Sequence, residues 1–183
     1  MPRIKPLERG TATGQPRELL DAVHDKFGRV PNLLATMAHA PNVLQAYLQL
    51  AQAIGAGSLD PTLREQIAIT VSTVNGCGYC VSAHAAMGRA AGVTSDAIDE
   101  AVRGEARDNR TNAALRFARA IVEKRGWVSD DDVAAVREAG FGDGEIAQIV
   151  GVVSMKTFTN YFNHVAKTEL DFPEVEIPVP AHA

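Results

Sequence analysis

Cysteine is nearly absent from this chain, with two thiols in 183 residues. That rules out the disulfide framework that holds small secreted domains together. Aromatic residues are scarce too, at 5%, so a platform for stacking bases is not expected. Neither sign of charge dominates: 18 Lys and Arg stand against 22 Asp and Glu, a net charge of -4. Such a chain has no basic footprint for nucleic acid or for an anionic membrane surface. A bilayer-spanning segment is missing as well. The charge-free stretch from Gln66 to Gly88 is broken by Asn75-Gly76, Gly78, His84 and several hydroxyls. It reads instead as the buried middle of a globular protein. The opening MPRIKPLERGTATGQP has no apolar core of the signal-peptide kind, so the expected location is the cytoplasm.

What the chain does have is apolar residues, 46% of the total, enough for one domain with a full core. Their spacing predicts an all-α fold. PRELLDAVHDKFG places Leu19, Leu20, Val23 and Phe27 on one stripe closed by Gly28. Two helices follow, divided near Pro41. Asp60-Pro61 opens the next, with Asp60 as N-cap and Pro61 at the first helical position. Its β-branched end, ITVSTV, makes a strand the competing reading, but no period-2 alternation persists. Asn75-Gly76 turns the chain into a helix that ends at Gly92. Four more helices are predicted beyond it, the last from Gly144 to about Lys167, and Ser129 with Asp132 has the spacing of a capping box. The expected organisation is a flexible segment 1–15, a helical domain 16–172 and an extended, proline-rich tail 173–183 that drapes over a neighbouring subunit. A weak echo at an offset of eighty pairs Glu65 with Glu145, Ile69 with Ile149 and His84 with His164, as a duplication would.

The chemistry concentrates in NGCGYCVSAH, which contains both cysteines. At positions i and i+3 of a first helical turn, Cys77 and Cys80 share a face, with α-carbons about 5–6 Å apart and within disulfide range. A helix N-terminus favours thiolates. His84 lies one turn beyond Cys80, where its imidazole can exchange a proton with that sulfur. Glu65 is the last acidic group before the charge-free run. Folding back at Asn75-Gly76 would bring it beside His84, to hold the imidazole or relay its proton. Each residue also has a plainer reading: two inert core cysteines, a satisfied core histidine and a solvated glutamate. Tyr79 is either a hydroxyl donor or packing. His164 and Asn160 read as structural.

Other uses of C-x-x-C fit less well. A structural zinc site wants four ligands, and His24, His39, His164 and His182 are scattered, which leaves only a Cys2His arrangement. The zinc deaminase pattern needs an upstream H-x-E that is missing, and a thioredoxin motif follows a strand.

Glu65, Cys77-Gly78-Tyr79-Cys80 and His84 together resemble the E-x11-C-x-x-C-x3-H signature of the alkylhydroperoxidase D-like proteins of the carboxymuconolactone decarboxylase superfamily. The resemblance is specific in REQIAITVSTVNGCGYCVSAHAAMGRAAGV and looser over residues 30 to 125. TFTNYFNHVAKTELDFP is similar to the ending of the longer, peroxidase-related members. The resemblance implies an all-helical trimer or hexamer with sites near subunit contacts. It also implies a peroxidatic Cys80, a resolving Cys77 and a Glu65–His84 proton relay. The family's best-known hydroperoxidase carries a histidine where this chain has Tyr79, and the decarboxylase branch generally lacks the cysteine pair.

The function expected is that of a thiol peroxidase reducing hydrogen peroxide or organic hydroperoxides. It would need no bound cofactor, only an external dithiol reductant, of lipoyl type in relatives. The rivals are a disulfide reductase or redox sensor with the same site, a non-catalytic oligomeric protein with a vestigial site, and a cofactor-free lyase.

Overall fold

A computed structural model describes residues 1–177. Among them the regular structure is entirely helical: α1 Gly14–Phe27, α2 Asn32–Met37, α3 Pro41–Gly55, α4 Pro61–Val74, α5 Gly78–Ala91, α6 Ser95–Arg103, α7 Asn109–Glu123, α8 Asp130–Glu138 and α9 Asp143–Ala166. The β-branched segment that invited a strand is the end of α4. Its start is fixed by Asp60, whose carboxylate accepts from Thr62 N at 2.8 Å and Leu63 N at 3.4 Å. A cap of this kind is worth about 1 kcal/mol. The predicted box at Ser129 also forms, each side chain accepting from the other residue's backbone N–H.

The charge-free run is explained by where α4 lies. Every residue from Gln66 to Ser72 is buried, because α4 packs against α5, α6, α7 and α9. Val81 and Ala85 of α5 face this main core with Ile67, Ile98, Leu115 and Ile149. The other side of α5 faces a second, smaller core. There Cys77, Tyr79, Cys80 and Ala83 meet Leu20, Val23, Leu34 and Leu44 from α1 to α3. Each fully buried Leu or Ile contributes about 1.5–3 kcal/mol relative to an exposed one. The thiols therefore sit on the side of α5 that α1–α3 cover.

The reversal between α4 and α5 depends on Gly76, whose φ of 71° is a left-handed conformation that a side chain would strain. Asn75 N closes the last turn of α4 on Val71 O, and Cys77 N bonds Ser72 O at 2.8 Å.

Three expectations need adjustment. The eighty-residue echo is not a structural repeat, since α9 runs unbroken through the positions where α4 and α5 hinge. Residues 1–15 make specific contacts: Arg3 N and Ile4 N both donate to Ala166 O, Leu7 N donates to Ala35 O, and α1 begins at Gly14. The tail turns back on its own chain, with Val175 N donating to Ser82 Oγ at 3.0 Å and Val175 and Ile177 lying on the main core. The remainder of that tail, 178–183 with His182, lies outside the described residues.

Candidate active site

Cys77 is the N-cap of α5, and Cys80 is the third residue of its first turn. Both are free and buried. The hinge turns α5 antiparallel to α4, and Glu65 lands against His84: Glu65 Oε2 lies 2.7 Å from His84 Nδ1. The fold thus brings all four predicted residues into one region. A direct His84–Cys80 hydrogen bond, expected from their i, i+4 spacing, is not formed among the described residues. His84 is turned toward Glu65 instead.

Cys80 takes its partners from elsewhere. Asn163 Nδ2 on α9 donates to Cys80 Sγ at 3.1 Å and lies 3.9 Å from Cys77 Sγ. The Cys77 thiol, Asn160 and Asn163 outweigh burial and bring the Cys80 thiol down to about 7. Cys77 behaves oppositely. Its role as donor to Cys80 and its burial push it well above the ordinary thiol range. A helix N-terminus alone would favour a thiolate at either position, but only Cys80 becomes the acidic thiol.

The Glu65–His84 pair is a carboxylate beside a neutral imidazole. Burial raises the Glu65 carboxyl, but His84, Lys156 and Arg64 together outweigh that and hold it low. For His84, burial and then Lys156 lower the imidazole more than Glu65 raises it. An ordinary ion pair would split the two shifts; here both fall. Nδ1–H therefore donates to Glu65, which leaves the other ring nitrogen as the proton acceptor.

Tyr79 is packing with a polar function. Its hydroxyl accepts from Leu33 N at 3.1 Å at the start of α2, and its ring meets Phe172 edge-on at 5.7 Å. His164 is exposed. Asn160 fixes the hinge, accepting from Asn75 Nδ2 at 2.8 Å and donating to Ser72 Oγ at 3.1 Å.

Sequence reasoning missed Lys156 and Asn163. Lys156, Asn160 and Asn163 occupy i, i+4 and i+7 on α9, one polar stripe facing the α4–α5 hinge. Lys156 is also the only Asp, Glu, Lys or Arg between Glu145 and Lys167. That isolated charge inside a long apolar helix was the available signal. It lines a cavity of about 340 Å³ with Cys80, His84, Glu65, Tyr47 and Met155. Among the described residues, no three His, Cys, Asp or Glu side chains converge as metal ligands, and no helix is long and apolar enough to cross a membrane.

Comparison with known proteins gives this geometry a family. Residues 41–124, which include all four predicted residues, match the carboxymuconolactone decarboxylase family. The crystal structure of an alkylhydroperoxidase AhpD core, an uncharacterized peroxidase-related protein from Ralstonia eutropha JMP134, superposes with a TM-score of 0.84 at 27% identity, covering 93% of this chain and 92% of that one. The chain carries a carboxymuconolactone decarboxylase family domain on an alkylhydroperoxidase D-like fold. A stretch of 65 residues is 42% identical to the alkyl hydroperoxide reductase AhpD of Bradyrhizobium diazoefficiens, covering 36% of this chain and 36% of that protein. The match thus spans about a third of the length of that curated relative. The superfamily fold also recurs in the debrominase Bmp8, with a TM-score of 0.78 at 22% identity over 92% of this chain and 91% of that one.

Proposed function

We propose that this protein is a thiol-dependent peroxidase that reduces hydroperoxides through a Cys77–Cys80 dithiol–disulfide cycle. The observation that carries the reading is the pair of unlike thiols under one amide, the more acidic one lining a cavity beside a carboxylate–imidazole pair.

The steps follow from the geometry. The Cys80 thiolate attacks the outer oxygen of the hydroperoxide. The S–O bond forms as the O–O bond breaks, leaving Cys80 as a sulfenic acid and releasing an alkoxide, or hydroxide from hydrogen peroxide. The proton that Cys80 loses on ionising is taken up by the free His84 nitrogen and then passed to the leaving oxygen, giving alcohol or water. The Cys77 thiol then attacks the Cys80 sulfur, giving the disulfide and one water. An external dithiol reopens it by exchange through a mixed disulfide, and is itself oxidised.

Burial constrains the reductant. Cys77 and Cys80 are 2% and 3% exposed, so a disulfide on a protein surface cannot approach them directly. A slim dithiol on a flexible arm, of lipoyl type, can enter the cavity. The same burial disfavours a general reductase of protein disulfides. A cycle of this kind suits a reducing compartment such as the cytoplasm.

The reading includes a homo-oligomer, trimer or hexamer. Val150, Phe158, Tyr161 and Val165 form an exposed apolar stripe on α9, which a second copy would cover. Sedimentation of the wild type against Tyr161→Glu tests this, with a multimer expected for the first and dissociation for the second.

The function is tested by titrating the reduced protein with cumene hydroperoxide. One equivalent should consume both thiols, form the intramolecular disulfide and release one equivalent of cumyl alcohol. Recovery of both thiols and intact hydroperoxide would overturn the reading.

A further inference from the structure

Lys156 is a buried amine with no side-chain partner among the described residues. It is 7% exposed and lines the cavity, yet among the described residues its ammonium donates no hydrogen bond and forms no ion pair. Glu65 is held by His84 at 2.7 Å. The Cys80 sulfur is supplied by Asn163 and Cys77. Asp171, outside the cavity lining, is paired with Arg29 and accepts from Asn32 N. A second cation, Arg64, lines the same space, with Nη1 on the Leu59 carbonyl. The cavity wall therefore carries four basic side chains, Lys26, Arg29, Arg64 and Lys156, against one carboxylate already shared with an imidazole.

An isolated buried ammonium costs several kcal/mol, so burial holds the Lys156 amine below the usual lysine range, and a carboxylate arriving beside it would restore the charge. The cavity's volume, about 340 Å³, lies at the small end of pockets for organic ligands and far exceeds the roughly 30 Å³ that one water occupies in the liquid. Leu33, Leu34, Ala51, Met155 and Phe172 make most of its wall apolar. One ammonium matches one negative charge. Of the two arginines on the wall, Arg29 is paired with Asp171 and Arg64 is tied to the Leu59 carbonyl, so Lys156 is the buried basic group left for that charge.

Resting on the peroxidase reading, we propose that the substrate class is a hydroperoxide bearing a carboxylate: Lys156 receives the acid group and the apolar wall receives the body, so that the hydroperoxide is presented to Cys80.

The test has a binding arm and a reaction arm. In the first, calorimetry compares 4-isopropylbenzoate with its methyl ester on the reduced wild-type protein and on Lys156→Met. The acid should bind the wild type at least tenfold tighter than the ester, and Lys156→Met should bring the two within twofold. The wild-type comparison stands even if the variant does not fold. Equal affinity of acid and ester for the wild type would overturn the proposal, as would a preference that survives in a folded Lys156→Met protein. In the second arm, the hydroperoxides of the same acid and ester oxidise Cys80, and the acid should be preferred by a similar factor. Rapid reduction of both at one rate would leave the peroxidase reading standing and sink the acid site. Acid-selective binding with neither hydroperoxide reduced would retain the acid site and sink the peroxidase.

Discussion

Asn163 Nδ2 donates to Cys80 Sγ at 3.1 Å and lies 3.9 Å from Cys77 Sγ, so one amide from α9 reaches both sulfurs of a motif on α5. The thiolate is stabilised by a residue 83 positions away, as well as by its own helix.

Alkylation of Cys80 should follow a titration centred at about 7, rising with pH and reaching its plateau above pH 8. Asn163→Ala should move the midpoint up by about one unit, since a hydrogen bond to a charged acceptor is worth about 1.5–3 kcal/mol and one unit about 1.4 kcal/mol. The linkage sign agrees. A thiol lowered on folding stabilises the fold above its unfolded value of about 8.5, and that contribution fades as pH falls through about 7. Iodoacetamide kinetics across pH 5 to 10 provide the check, and an unmoved midpoint would remove Asn163 from the account.

Glu65→Gln keeps the shape of the carboxylate and removes its charge. With His84 no longer held in one tautomer, peroxide-driven oxidation should slow by about a hundredfold, at the low end for general acid–base catalysis. The alkylation midpoint of Cys80 should stay near that of the wild type. Equal losses in alkylation and in peroxide oxidation would show a role in shaping the thiol rather than moving the proton.

Cys77→Ser should leave the first chemical step in place and stop the cycle there. One equivalent of hydroperoxide should yield a Cys80 sulfenic acid, trapped by dimedone and seen by mass spectrometry, with no intramolecular disulfide. Failure of the Cys77→Ser protein to form a dimedone adduct at Cys80 would reverse the assigned roles.

Tyr79→Phe removes the acceptor of Leu33 N and leaves a buried N–H unpaired at the start of α2. The expected cost is about 1–3 kcal/mol, read as a lower urea midpoint at unchanged slope. A midpoint equal to that of the wild type would make the hydroxyl dispensable.

The sequence made the helices legible because their ends carry local chemistry: Asp60 with Pro61, Ser129 with Asp132, and glycines at positions such as 76 and 92. Glu65 and His84 were legible for a related reason, since a tight turn between two helices leaves little choice about which residues meet. What remained hidden lies across longer separations. The packing of α9 against α4 and α5 brings Asn163 to the thiols and Lys156 to the cavity, and no local spacing encodes that approach. The unequal acidity of the two thiols was partly hidden for the same reason, because beyond the Cys77–Cys80 contact it depends on Asn160 and Asn163. The path of residues 173–177 was hidden as well, because the prolines announce an extended course but not the surface that Val175 finds.

The most direct test is stopped-flow oxidation of the prereduced protein by cumene hydroperoxide and by hydrogen peroxide at pH 7.5, with Cys80→Ser alongside. The account predicts oxidation at least a hundredfold faster than that of a free thiol at the same pH, ending in the Cys77–Cys80 disulfide and abolished in Cys80→Ser. Oxidation no faster than a free thiol, or equally fast without Cys80, would contradict it.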